Sequence, residues 1–312
     1  MSSRLVRLVA AIGAAATVAA CGQSEPAAPA STGGGPIGVV ASTDVWASVA
    51  KAVGGNEVDV TAIVADPSGD PHSYQVTARD AAELRGAALV VYNGGGYDDF
   101  VEQSLGEGGP RRIKAFDLHQ GKTSGGGTSQ PDPAHAADEN EHVWYELTTV
   151  AAVAGEVANQ LAQLRPSAKA TFVANADTFD GKLDGLEGKL GDIATANAGK
   201  SVALTEPVAH YLLETAKLTD ATPQEFVEAI EEETDPPAAA VAEIQALVSE
   251  KRIAVLVHNP QTETPVVTDL VTKARAANLP VVEMTETLPT GLDYVTWMGN
   301  EIQALSDALK RQ

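Results

Sequence analysis

Short apolar runs alternate with amphipathic stretches along most of the chain. IGVVAS, from Ile37, reads as a buried strand. TDVWASVAKAVGG places apolar residues at helical spacing between a Thr43 or Asp44 cap and a Gly-Gly stop. VDVTAIVA predicts a second strand, and VTARDAAELRGA a helix that starts near Val76 or Thr77. ALVVYNGGG predicts a third strand ending in glycines, YDDFVEQSLGEG a helix, and RRIKAFDL a fourth strand. HVWYELTTVAAVAGEVANQLAQLRP returns to helical periodicity. SAKATFVANADTFDGKLDGLEGKLGDIATANAG predicts one long helix, with Phe172, Leu183, Leu186 and Leu190 at helical spacing and polar residues between. The alternation then resumes with strand SVALTEP, helix PVAHYLLETAKL, the polar EEETDPPAAA, helix AAVAEIQALVSEKR and strand IAVLVHNP. Helix TPVVTDLVTKARAANLP, strand and turn PVVEMTETLP, and the final helix DYVTWMGNEIQALSDALKRQ complete it.

This pattern predicts an α/β fold of two lobes, each a mostly parallel sheet flanked by helices, joined by one long backbone helix. The lobes are expected at 37–165 and 198–312, and the helix at 166–197. Ligands of parallel sheets gather beyond the carboxyl ends of the strands. No sequence repeat marks the two halves as duplicates.

Composition narrows the partners. The chain has 312 residues, 44% hydrophobic, with a formal net charge of −21. So acidic a surface argues against nucleic acid and against charge-driven docking on anionic lipid, and it suits a protein that handles cations. The first 20 residues combine Arg4 and Arg7 with an apolar run of small residues, the pattern of a signal peptide. The one cysteine, Cys21, follows Val-Ala-Ala, which resembles a bacterial lipobox and implies a lipid anchor at that thiol. Residues 21–36, rich in Gly, Pro, Ser and Ala, read as a flexible tether. The expectation is an extracytoplasmic, monomeric body held at the cell membrane by lipid. A polar stretch over 119–141 reads as a mobile surface loop and carries His119 and His135.

Candidate chemistry falls at His72 in DPHSYQ, His142 in NEHVWYEL, Glu206 in LTEPVAHYLL, Glu286 in EMTETLP, and the loop pair His119 and His135. Taken singly, each has a plain structural reading as a turn histidine, a helix cap or a solvated charge. Four of them sit in equivalent places, two per lobe, where strands or loops feed helices. If the strand ends face one cleft, two imidazoles meet two carboxylates, whose charges neutralise a divalent cation. The enzyme alternative, a secreted metal-dependent hydrolase, needs an open coordination position and a general base. No H-E-x-x-H or G-x-S-x-G occurs, NGGGYDDF lacks the lysine of a phosphate loop, and four protein ligands leave no place for a substrate. The expectation is therefore a binding protein, not an enzyme.

Several segments carry a resemblance. GDPHSYQVTARD resembles a G-x-DPH-x-Y-x-x-x-x-x-D segment. NEHVWYEL is similar to NPHxWxDP, with Glu141 for Pro and Glu146-Leu147 for Asp-Pro. YVTWM resembles a Y-x-x-M-M-like final helix, and VLVHNPQTE a strand followed by Pro-Gln. From Ile37 to Leu309 the chain thus resembles the metal-binding solute receptors of ABC importers, the cluster 9 or ZnuA/TroA-like family. The resemblance implies a class III, cluster A-I solute-binding fold with a rigid backbone helix. It also implies a lipoprotein that delivers a divalent transition metal to an ABC permease, or a surface adhesin on the same fold. His72 and His142 match the first two ligands. Tyr211 places Glu206 third and TETL places Glu286 fourth, with His210 and Asp293 as alternatives. His119 and His135 fall where zinc-type members carry a His-rich loop, as a weak capture site. Two carboxylates are hard donors, so Mn²⁺ is favoured over Zn²⁺, with Fe²⁺ also admitted.

Overall fold

The computed structural model describes residues 35–311, apart from 68–70, 107, 122–139 and 233. The signal segment, Cys21, nearly all of the tether, most of the 119–141 loop and His135 lie outside the described residues.

The first lobe is built from β1 (Ile37–Thr43), α1 (Asp44–Gly54), β2 (Val58–Val64), α2 (Ala78–Gly86), β3 (Leu89–Tyr92), α3 (Phe100–Leu105), β4 (Arg111–Lys114) and α4 (Leu147–Leu164). Its four strands run in the order β2-β1-β3-β4, all parallel. β3 is buried throughout and β1 everywhere but Gly38, because helices cover both faces of the sheet. β3 ends in NGGG for a steric reason. Gly94 and Gly95 have φ of +77° and +73°, and a Cβ on them would stand 2.2 Å from the Lys114 side chain and 2.7 Å from the Phe116 ring. Asp98 closes that turn by accepting the Asn93 and Gly94 amides at 2.6 and 2.7 Å.

α5 (Lys169–Asn197) follows a 3-10 turn at Pro166–Ala168 and spans about 44 Å at 1.5 Å per residue. It buries Phe172, Ala176, Phe179, Leu183, Leu186, Leu190 and Ile193, alternating steps of four and three. That spacing gives one narrow apolar stripe and leaves the rest of the helix in solvent.

The second lobe comprises β5 (Ser201–Leu204), α6 (His210–Thr215), β6 (Thr219–Asp220), α7 (Gln224–Glu231), α8 (Ala238–Ser249), β7 (Val255–His258), α9 (Pro265–Ala276), β8 (Val281–Glu283) and α10 (Tyr294–Leu309). Its sheet, β6-β5-β7-β8, is again all parallel and repeats the strand order of the first. Two of these elements escape the sequence pattern. β6 has only two residues, and α7 buries only Phe226, Ala229 and Ile230 amid glutamates.

One apolar core runs through both lobes and α5, taking in Trp46, Trp144, Phe172, Leu186, Leu204 and Trp297. Smaller cores lie under the outer helices of each lobe, around Leu84 and Phe100 in the first and around Phe226 and Leu270 in the second. Polar ties reinforce the junction between lobes. The Leu288 amide donates to Asp44 at 3.1 Å, the Tyr294 amide to Ser48 Oγ at 2.9 Å, and the Tyr294 hydroxyl to the Trp144 carbonyl at 2.6 Å. Among the described residues no helix is long and apolar enough to cross a membrane.

Candidate metal centre

His72 stands in the turn between β2 and α2. The DPHSYQVTARD motif explains its placement. Asp80, in the first turn of α2, accepts from the Tyr74 hydroxyl, the Thr77 amide and the Thr77 hydroxyl at 2.8, 2.8 and 2.7 Å. Thr77 Oγ1 returns a bond from the Asp80 amide, completing a capping box. The histidine-bearing turn is thus tied to the helix that follows it.

His142 precedes a 3-10 turn, Val143–Tyr145, and α4 begins only at Leu147. Its orientation follows from Asn140. That side chain donates through Nδ2 to the Pro207 carbonyl at 2.8 Å, so its Oδ1 is the atom facing His142. Oδ1 accepts from the His142 amide at 2.8 Å and lies 2.9 Å from Nδ1. An amide oxygen can only accept, so Nδ1 carries a proton and Nε2 is the nitrogen that faces the cleft. The Tyr211 hydroxyl donates to the Asn140 carbonyl at 2.5 Å, so the second lobe grips this loop twice.

Glu206 follows β5 and Glu286 follows β8. Asn259, just beyond β7, uses both amide hydrogens to bridge them, donating to Glu206 Oε2 at 2.5 Å and to Glu286 Oε1 at 2.7 Å. Thr262 Oγ1 also donates to Glu206 Oε2, at 2.6 Å. Gln261 accepts the Glu286 amide at 2.6 Å. Each carboxylate therefore has one oxygen anchored by second-lobe donors and the other turned toward the histidines.

One ligand atom from each of His72, His142, Glu206 and Glu286 lies within 4.8 Å of the other three. His142 Nε2 is 3.7 Å from Glu206 Oε1, and His72 Nε2 is 3.8 Å from Glu286 Oε2. These separations exceed a hydrogen bond. They match donors around one ion, since atoms about 2.1 Å from a tetrahedral centre stand about 3.4 Å apart. His142, Glu206 and Glu286 are buried, while the His72 side chain is 21% exposed. A cavity of about 250 Å³, lined by His72, Glu206, Glu231 and Gln261, opens beside the cluster.

Burial alone would lower the His142 pKa, but the Glu206 carboxylate facing it raises it to about 9. Burial likewise raises Glu206. The His142 imidazole and the Thr262 and Asn259 donors outweigh that and hold it below the usual carboxylate range. A third acidic group stands at the edge. Glu141 Oε1 lies 3.2 Å from His72 Nε2, and burial raises Glu141 to about 7.

The other sequence candidates lie elsewhere. His210 is 42% exposed and 4.0 Å from Glu214 one helical turn on. Asp293 caps α10, accepting the Thr296 amide at 2.8 Å, and lines a separate cavity of about 640 Å³ between α1, α5 and α10. His119 is not an open capture residue. It is buried in a 3-10 turn after β4, with Nδ1 2.5 Å from Glu146 Oε2 and its ring 4.8 Å from that of Tyr211. Phe116 and Tyr211 supply the apolar surface that draws the imidazole inward. Sequence reasoning also passed over Asn140, Asn259, Gln261 and Glu141. Asn259 and Gln261 had a usable signal, since they follow a strand whose carboxyl end faces the same cleft.

The family model described as "ZnuA: Zinc-uptake complex component A periplasmic" matches residues 39–308. The high-affinity zinc uptake system protein ZnuA of Bacillus subtilis (strain 168) is 25% identical over 307 residues, 94% of this chain and 93% of that protein. The manganese ABC transporter substrate-binding lipoprotein PsaA of Streptococcus anginosus is 27% identical over 168 residues, 50% of this chain and 51% of that protein. Among solved structures, the laminin binding protein Lmb of Streptococcus agalactiae is described as bifunctional, with adhesin and metal transporting activity. It superposes with a TM-score of 0.70 at 18% identity, over 88% of this chain and 99% of that chain, a likeness of fold.

Proposed function

The chain belongs to the family of zinc-uptake complex component A proteins, and on that premise we propose that it captures one divalent transition-metal ion between His72, His142, Glu206 and Glu286 for delivery to an ABC permease. The family is one of extracytoplasmic metal-binding substrate-binding proteins rather than enzymes. The observation that carries the site is the convergence of two imidazole nitrogens and two carboxylate oxygens, two donors from each lobe, with three of the four residues buried. Their charges suit a dication, and the anchored carboxylate oxygens leave one donor atom each for it. Cys21 would carry the lipid that keeps the carrier beside its permease.

The donor set suits Zn²⁺, Mn²⁺ or Fe²⁺ as cargo. Two carboxylates favour the harder ion, whereas the family description and the relative matched along nearly its whole length are those of zinc proteins. The Irving–Williams order predicts the tighter binding for Zn²⁺ in a direct competition. Calorimetric titration of Zn²⁺ and Mn²⁺ into parent protein, His142→Ala and Glu206→Ala tests the reading. The parent should bind one equivalent, and each folded variant should lose tight binding of both ions. Parental affinity in a folded Glu206→Ala protein would remove Glu206 from the site.

A further inference from the structure

Between the two lobes, behind the metal cluster, a buried acid closes a ring of hydrogen bonds. Glu301 on α10 is 7% exposed, and Tyr145, Thr285 and Trp297, which hydrogen-bond it, carry no positive charge. The Thr285 amide donates to Glu301 Oε1 at 3.1 Å. The Tyr145 hydroxyl oxygen lies 2.7 Å from Glu301 Oε2 and 2.8 Å from the Thr285 carbonyl oxygen. A phenol has one proton, and here it faces two acceptors at full hydrogen-bond distance. The carbonyl cannot supply a proton, but the carboxyl can.

We propose that Glu301 is a positioning residue held as a neutral carboxylic acid, which locks Tyr145 to Thr285 and so fixes His142 and Glu286 at their spacing. In the ring, Glu301 Oε2–H donates to Tyr145 Oη, Tyr145 O–H donates to the Thr285 carbonyl, and the Thr285 N–H donates to Glu301 Oε1. Each proton is used once and no acceptors oppose each other. A carboxylate at this depth, held by uncharged partners, would be heavily disfavoured, and burial pushes the group up to about 8. Both contacts lead to the metal cluster. Tyr145 closes the 3-10 turn onto the His142 carbonyl through its amide at 3.0 Å. Thr285 is the residue before Glu286. Trp297 Nε1 donates to Thr285 Oγ1 at 3.1 Å, holding that residue from α10 as well. The ring therefore joins a first-lobe ligand loop to a second-lobe ligand loop.

The inference rests on His142 and Glu286 being metal ligands. Its test is the Kd for Zn²⁺ and for Mn²⁺ of full-chain Glu301→Gln, Glu301→Ala and Tyr145→Phe, with His142→Ala as reference. A glutamine can donate to Tyr145 and accept from Thr285, so Glu301→Gln should stay within about threefold of the parent. Tyr145→Phe and Glu301→Ala should weaken both metals by about tenfold or more, the usual effect of removing support from a ligand. Tyr145→Phe combined with Glu301→Ala should be no weaker than Glu301→Ala alone. An infrared difference spectrum of parent against Glu301→Gln at pH 7 should show a protonated-carboxyl C=O band in the parent. Parental Kd in Tyr145→Phe overturns the positioning role, whether or not Glu301→Ala folds. No such band, or Glu301→Gln as weak as Glu301→Ala, overturns the neutral acid. Parental affinity in His142→Ala would instead overturn the site itself, separately from Glu301.

Discussion

At His142 a proton and a metal ion compete for one lone pair. With Nδ1 bound to Asn140, Nε2 is the only nitrogen left for either. In the metal-free protein the facing Glu206 carboxylate raises the imidazole to about 9, so it is protonated at neutral pH. Metal must displace that proton, and affinity rises with pH until the imidazole is already neutral. We expect the Zn²⁺ Kd to tighten by about tenfold per pH unit between pH 6 and 8.5, with about one proton released per ion. Calorimetry in buffers of different ionisation heat measures both. Affinity that stays flat across this range would mean His142 does not bind through Nε2. The four proposed ligands were legible in the sequence because each follows a strand or loop end in a recognisable motif. Asn140 and Glu301 were not. Their importance lies in which atom they face, and that is fixed only when segments far apart in the chain meet.

Among the elements, strands were the easiest to read, because parallel strands covered on both faces become unbroken apolar runs such as LVVY and VLVH. α7 was hard for the opposite reason, with three buried residues hidden among glutamates. The long helix α5 shows both behaviours. Its stripe of Phe and Leu announced it, yet its outer face carries glycines. A Cβ at Gly185 would meet nothing within 4 Å, and the position is exposed. Gly185→Ala should therefore stabilise the protein by about 0.5–1 kcal/mol through backbone entropy alone. Leu186→Ala, one residue on and within the shared core, should destabilise it by about 2–5 kcal/mol. Urea denaturation of the two variants checks this contrast, and equal effects would mean that the stripe is not what holds α5.

On the scale of the whole molecule, the two sheets repeat one strand order although their sequences show no repeat. Strand order depends on which apolar runs pair, and many sequences satisfy the same pairing. The lobes also share one apolar core across α5, so they are not two bodies separated by a wet hinge. An ion bound by two donors from each lobe adds a further link to that junction. At a free metal concentration of 100 times Kd, binding should stabilise the fold by about 2.7 kcal/mol. The thermal midpoint should rise on loading with Zn²⁺ and fall back on chelation in the parent, and stay unchanged in Glu206→Ala. A midpoint indifferent to metal in the parent would argue against a site that bridges the lobes.

The exposure of a single donor has a consequence in time. Of the four residues only His72 meets solvent, so a rival chelator must approach a held ion past that imidazole, through the small cavity beside it. The other three residues are buried, and the core that the lobes share resists their separation. A bound ion should then outlast many chance collisions. Its hand-over would be timed by whatever pries the lobes apart, and not by how often a competitor arrives.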